Sequence, residues 1–308
     1  MLYADDDTDN IREADPDILK AKVQTEADLS TDWVHDNKLV CSGEKTKLLI
    51  IGTPELKKSR ITTKNISFQI TVAGHEVTDS SSEKLLGMVI NDKLTWSNHL
   101  YGDEQNEGLV SKLSKRAGII FKLSFLMPKD RLRNIAEGIF FSLLTYGIQV
   151  YGAVWGLEPY KVSDSRNKSF TKEDNHNLQV IMNRVLRSLT GLPRETPVRQ
   201  LLHESGYLSV QQLTAYHTVS TMFKIMKNKE PIYIYETLLQ SKHTDDRARA
   251  PTLFQPSYNL SPSRQSFIYQ AQKLFSLLPE SITNSKNLNT FKKSVKNWIK
   301  LKIPAMPP

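Results

Sequence analysis

Cysteine is nearly absent: Cys41 stands alone among 308 residues. A single thiol excludes an intramolecular disulfide and any zinc site built on cysteine. No disulfide partner is therefore expected, and the composition fits a reducing intracellular compartment, cytoplasm or nucleus. Long apolar runs are lacking too. A membrane helix needs roughly 18 consecutive apolar residues. The longest stretch, Ala136–Trp155, is interrupted by Glu137, Gly138, Ser142, Thr145, Gly147 and Gln149, so no membrane partner is expected. The first residues, MLYADDDTDN, contain no basic segment followed by an apolar one, so no secretory signal is expected. Nucleophile-elbow, P-loop and His-Glu-x-x-His patterns are also missing, and with them the chemistries they carry.

What is present is an uneven charge. Residues 1–36 hold eleven acidic and three basic residues, a balance of 3 − 11 = −8. The remainder holds 38 basic and 22 acidic residues, a balance of +16. An acidic head on a basic body suggests a polyanion partner for the body, although a solvated basic surface gives the same count.

The pattern changes along the chain. Met1–Ala4 reads as a strand and Asp5–Asn10 as an acidic turn. Asp15 and Pro16 have the places of an N-cap and an N1 proline. Ile18, Leu19, Val23, Ala27 and Trp33 then predict a helix to about His35. Residues 39–41 and 47–51 read as short strands around Ser42-Gly43-Glu44, and residues 52–66 as a basic loop. Phe68, Ile70 and Val72 alternate like a half-buried strand, and Leu85–Ile90 reads as another. From about residue 107 the period becomes helical. Helices are predicted near Val110–Leu123, Arg131–Tyr151, Leu178–Leu189, Val198–His203, Val210–Met226, Arg264–Leu278 and Asn287–Leu301, with Gly191 as a stop signal. Residues 161–175 and 240–265 read as loops.

Tyr3-Ala4-Asp5-Asp6 is the tetrapeptide with chemistry in it, because adjacent carboxylates on a tight hairpin can hold a hard divalent cation. An EF-hand is excluded: Asp5, Asp7 and Asp9 fit its first positions, but Asn10 takes the place of the glycine and Pro16 that of the closing glutamate. Further motifs follow in order: Trp33-x-x-x-Asn37-Lys38-Leu39, Lys45-Thr46, Leu86-Gly87, and Leu94-Thr95-Trp96-x-x-His99. Downstream lie Tyr146-Gly147 with Val154-Trp155-Gly156, then Leu178-Gln179-x-x-x-Asn183-x-x-Leu186-Arg187 with Thr190-Gly191. Ser266-Phe267, Leu278-Pro279 and Phe291-Lys292 complete the series. In joint order and spacing this resembles the reverse transcriptases of non-LTR retrotransposons, over nearly the whole chain.

The resemblance implies an α+β fold. Residues 1–100 would be a palm remnant, with a small antiparallel sheet, a helix, the YADD hairpin and a primer-grip-like hairpin. Residues 101–160 would be a helical thumb-like region and 161–308 a helical extension. It implies RNA-directed DNA polymerase activity, with Mg2+ held by Asp5 and Asp6, and an RNA template, a DNA primer and dNTP as partners. Lys45 would lie near the nucleotide phosphates, and Tyr3, Leu86 and Gly87 beside the primer. In the basic body, Lys112, Lys115, Arg116, Arg184 and Arg187 are the candidate phosphate contacts. Aromatic residues beside cations, Phe121, Tyr216, Phe223, Tyr233 and Trp298, could stack on bases but at helical spacing read first as core.

Three departures stand out. The sequence opens inside what the resemblance makes a palm strand, so the second palm carboxylate is not expected among these residues, and two-metal transfer needs carboxylates from two strands. Ser42 stands where the family often has Asn, and Phe275-Ser276 where Trp-Asn is common. The expectation is a polymerase part inactive on its own. A non-enzymatic helical nucleic-acid-binding module and a pseudogene relic are the alternatives.

Overall fold

The computed structural model describes residues 2–3, 6–52, 68–155, 170–239 and 265–306. The chain divides at Leu94 into two units, each with its own packing. The class is mixed α+β, mostly helical with small sheets.

In the first unit, Leu2–Tyr3 (β1) pairs antiparallel with Asp6–Asp7 (β2), with Tyr3 opposite Asp6. The acidic residues read as a turn thus begin with a returning strand. Helix α1, Pro16–Asp36, starts as the sequence predicts: the Asp15 carboxylate accepts from the Asp17 and Ile18 amides, and Pro16 follows it. One side of α1 faces a three-stranded sheet.

 Its contact with that sheet is made by Val23 and Ala27, which pack on Ile70, Val72 and Val77. The Gln24 side chain also exchanges two hydrogen bonds with the Thr71 backbone, at 2.8 and 2.9 Å. Ile18 and Trp33, read as part of the same stripe, are instead half-exposed.

The sheet consists of β3 (Leu48–Leu49), β4 (Gln69–Val72) and β5 (His75–Ser80), with β5 in the middle, antiparallel to β4 and parallel to β3. Phe68, Ile70 and Val72 are buried, as their alternation predicts. Residues 39–41 form no strand, and the turn that follows them is a short 3₁₀ helix, Gly43–Lys45. A Cβ on Gly43 would lie 2.5 Å from the Val72 carbonyl oxygen, so only glycine fits there. The segment 85–90 is a hairpin and not one strand: β6 (Ser82–Leu85) pairs with β7 (Met88–Asn91) through Leu86-Gly87. Both turn residues have positive φ, 46° and 83°, as a two-residue mirror-image turn requires.

The second unit is helical. Helix α2 (Ser97–Tyr101) leads into α3 (Leu109–Leu123), which packs on α4 (Lys129–Ala136) and α5 (Ser142–Thr145). The single helix expected over 131–151 is interrupted twice. A π-helical turn spans Glu137–Phe141, and Gly147, at φ 68°, separates α5 from α6 (Ile148–Tyr151). The buried Tyr151 hydroxyl donates to the Leu144 carbonyl across that break. Next come α7 (Lys172–Thr190), α8 (Val198–Ser205), α9 (Val210–Asn228) and α10 (Ile232–Leu239). The last are α11 (Phe267–Ser276), α12 (Glu280–Thr283) and α13 (Leu288–Lys302).

Helix α7 opens on a reciprocal capping box between Thr171 and Asp174 and closes on Gly191 at φ 78°, the left-handed position glycine adopts without a Cβ penalty. Its apolar stripe, Leu178, Met182, Val185 and Leu186, meets Leu113, Ile120, Leu132 and Phe140 in one core. Residues on both sides of position 160 share that core. A second core joins α9 to α11 and α13, where Phe223 stacks on Phe291 at 4.1 Å. Each fully buried side chain of this size contributes about 1.5–3 kcal/mol.

Buried amides tie these layers together. Gln179 on α7 donates to Asn183 and accepts from the Val210 amide at the start of α9. Gln270 on α11 accepts from the Val154 amide and donates to the Gly152 carbonyl. Gln212 on α9 donates to the Ile303 carbonyl at the end of α13. An amide offers a donor and an acceptor at once, so it satisfies the backbone groups left open where helices end.

Candidate functional site

The carboxylates of the acidic hairpin come first. Asp5 lies outside the described residues, whereas Tyr3 and Asp6 face each other across the β1–β2 pair. Among the described residues, no three His, Cys, Asp or Glu side chains come together as a group that could hold a metal ion. The magnesium that the resemblance implies would be held by Asp5 and Asp6, of which Asp5 is not among the described residues. Lys45 is exposed at the end of the 3₁₀ turn, three residues before β3 begins, and not on a strand. Leu86 and Gly87 occupy the tip of the β6–β7 hairpin, where Leu86 is 38% exposed.

The five candidate phosphate contacts do not behave alike. Arg116 turns inward and donates to the Ile139 carbonyl inside the π-helical turn. A π turn shifts the ladder from i→i−4 to i→i−5 and leaves a carbonyl to satisfy. Arg187 donates to the carbonyls of Pro193, Arg194 and Thr196 and so holds the loop after α7. Both guanidinium groups thus hold backbone carbonyls in this arrangement. Lys115 forms a 2.6 Å ion pair with Glu107, though its side chain stays largely exposed. Arg184 is exposed and Lys112 half-exposed, and neither side chain makes a hydrogen bond or ion pair among the described residues. Their spacing in sequence could not separate these cases, because the carbonyls that recruit Arg116 and Arg187 come from other segments.

The histidine of the Trp96-x-x-His99 motif is buried. Its ring lies 6.1 Å from Trp96 and 5.2 Å from Tyr151. Burial, with the Lys112 charge adding to it, holds its pKa down to about 4. A neutral imidazole packed among aromatic rings is a core group. Other resemblance motifs are structural in the same sense: Gln179 and Asn183 form a buried pair, Thr190-Gly191 ends α7, and Ser266 caps α11.

Two surface features escaped the sequence reading. An open cleft of about 300 Å³ lies between α4 and the end of α7. Lys129 and Arg133 line it together with Asp130 and Glu204, so its charges cancel. Phe121, read as core, is 56% exposed, and Phe125 beside it is 74% exposed. The signal for these was available in part: Phe121 and Lys122 fall beside the Leu113–Ala117–Ile120 stripe and not within it. No helix among the described residues is long and apolar enough to cross a membrane, and Cys41 is free. No protein-family model, curated protein or solved structure matches the chain.

Proposed function

We propose that the chain is part of a non-LTR retrotransposon reverse transcriptase, an RNA-directed DNA polymerase, and that these residues hold an RNA template and DNA primer mainly through phosphates. The ordered motifs support the reading. The observation that carries it is that two polymerase-like motifs fall on hairpins: Tyr3 opposite Asp6, and Leu86-Gly87 between Leu85 and Met88. A hairpin tip is where a backbone can meet a nucleic-acid strand without a neighbouring strand in the way. The second reading, a helical binding module without catalysis, is favoured by the second unit's independent cores.

The test is a fluorescence anisotropy titration of the full chain against an RNA–DNA hybrid over a salt series. If about five phosphates are neutralised, log K should fall with log salt at a slope near −4 to −5. No binding at roughly 50 mM salt would remove the nucleic-acid reading. Primer extension on an RNA template is expected to be absent. Incorporation of dNTP that vanishes in Asp5→Ala would replace this binding role with an active polymerase.

A further inference from the structure

The end of α3 and the chain beyond it expose large apolar side chains among cations. Ile119, Phe121, Phe125 and Leu126 are 50%, 56%, 74% and 79% exposed. Phe121 and Phe125 meet edge to face, with ring centroids 5.1 Å apart and planes at 88°. Much of both rings stays in water, an arrangement that apolar area opposes unless something covers it.

Gly118 lies one turn before Phe121 and Lys122 on the same helix. A Cβ there would meet nothing within 4 Å, so packing inside the chain does not exclude a side chain. Glycine is unfavourable in a helix interior. Its use here leaves the backbone open to close approach beside the two rings. From Leu109 to Arg133 the sequence has seven Lys or Arg residues against one acid, Asp130; Arg116 turns inward, Lys115 pairs with Glu107, and Lys129 and Arg133 line the neutral cleft. Lys122 and Arg131 are exposed, and their side chains make no hydrogen bond or ion pair among the described residues.

A ligand for such a surface has flat apolar faces and an anionic edge. Unpaired nucleobases on a phosphate backbone have both, whereas a duplex hides its base faces in the stack. An anionic bilayer also suits cations and apolar side chains, but it gains nothing from a glycine gap beside an aromatic pair. We infer that Phe121 and Phe125 form a stacking platform for unpaired bases of single-stranded RNA or DNA, with Gly118 admitting the strand close to α3 and Lys122 neutralising a phosphate. The inference rests on the proposed nucleic-acid function and gives it a place on the helical unit.

The full chain, a Phe121→Ala/Phe125→Ala variant and Gly118→Leu are titrated with three probes. These are an oligonucleotide of about 12 bases carrying a fluorescent adenine analogue, a fully paired hybrid duplex, and phosphatidylserine-containing vesicles. The double variant should lose roughly tenfold or more in single-strand affinity, together with the analogue's fluorescence change, while duplex affinity stays within about twofold. Gly118→Leu should raise the melting temperature yet weaken single-strand binding, which separates lost contact from lost folding. Unchanged single-strand affinity in the double variant, with the duplex still bound, overturns this inference and leaves the proposed function standing. Absence of binding to either nucleic acid overturns both. Vesicle binding that depends on the two phenylalanines, with neither the single strand nor the duplex bound, assigns the patch to a membrane surface and also overturns both.

Discussion

His99 shows how much the identity of a residue depends on its surroundings. On a helix surface it would titrate near 6.5; against Trp96 and Tyr151 it is held neutral, with a pKa lowered to about 4. The folded state therefore binds fewer protons than the unfolded state between these values. Stability is fully present above about pH 6.5 and declines as pH falls toward about 4, by at most on the order of 3 kcal/mol. His217, lowered by burial and then by Lys292 and Lys224, acts in the same direction. Urea unfolding at pH 7 and pH 5 should show the loss, and His99→Leu should flatten part of it. An NMR titration midpoint for His99 near 6.5 would contradict this account. The same residue scale explains Arg116 and Arg187. A cation's charge is plain in the sequence, but its partner is a carbonyl supplied by a distant segment.

At the scale of elements, local chemistry marks several ends correctly. Asp15-Pro16 starts α1 and Gly191 ends α7 because caps depend on neighbouring residues alone. The hairpin at Leu86-Gly87 is less legible, since leucine seldom takes positive φ. Its strain gives a prediction: Leu86→Asn should stabilise the first unit by about 0.5–1 kcal/mol, because Asn-Gly favours this turn. A thermal melt measures that shift. If Leu86 also contacts a strand, the same variant should bind the hybrid more weakly; a destabilised Leu86→Asn would mean that its side-chain packing outweighs the turn. The break in the 131–151 helix was partly visible in Gly147. The π turn was not, because its Ile139 carbonyl is satisfied by Arg116 from α3.

At the scale of the whole molecule, charge is divided more sharply than the net value of +8 suggests. Helix α1 carries much of the acidic head, yet it also covers β4, so its removal would disturb the sheet. Exposed acids are the safer probe. Neutralising Glu26, Asp32 and Asp36 as Gln, Asn and Asn should tighten hybrid binding at low salt. The effect should fade near 0.5 M salt, where the Debye length falls to roughly 4 Å. Equal gains at both salt concentrations would show that the variants act on folding and not through the field.

The sequence by itself determined the mixed class, most helix positions, the capped ends of α1 and α7, the uneven charge and the ordered motifs. These depend on composition, period and neighbours within one turn. Tertiary structure decided which cations remain available, which aromatic residues are core, and where buried amides join helices. Phe223 and Phe121 illustrate the reason. Both are aromatic residues near lysines on predicted helices, but Phe223 meets Phe291 from α13, while Phe121, among the aromatic rings of the described residues, meets only its neighbour Phe125. Period places a side chain on a face; burial depends on whether another segment arrives to cover it.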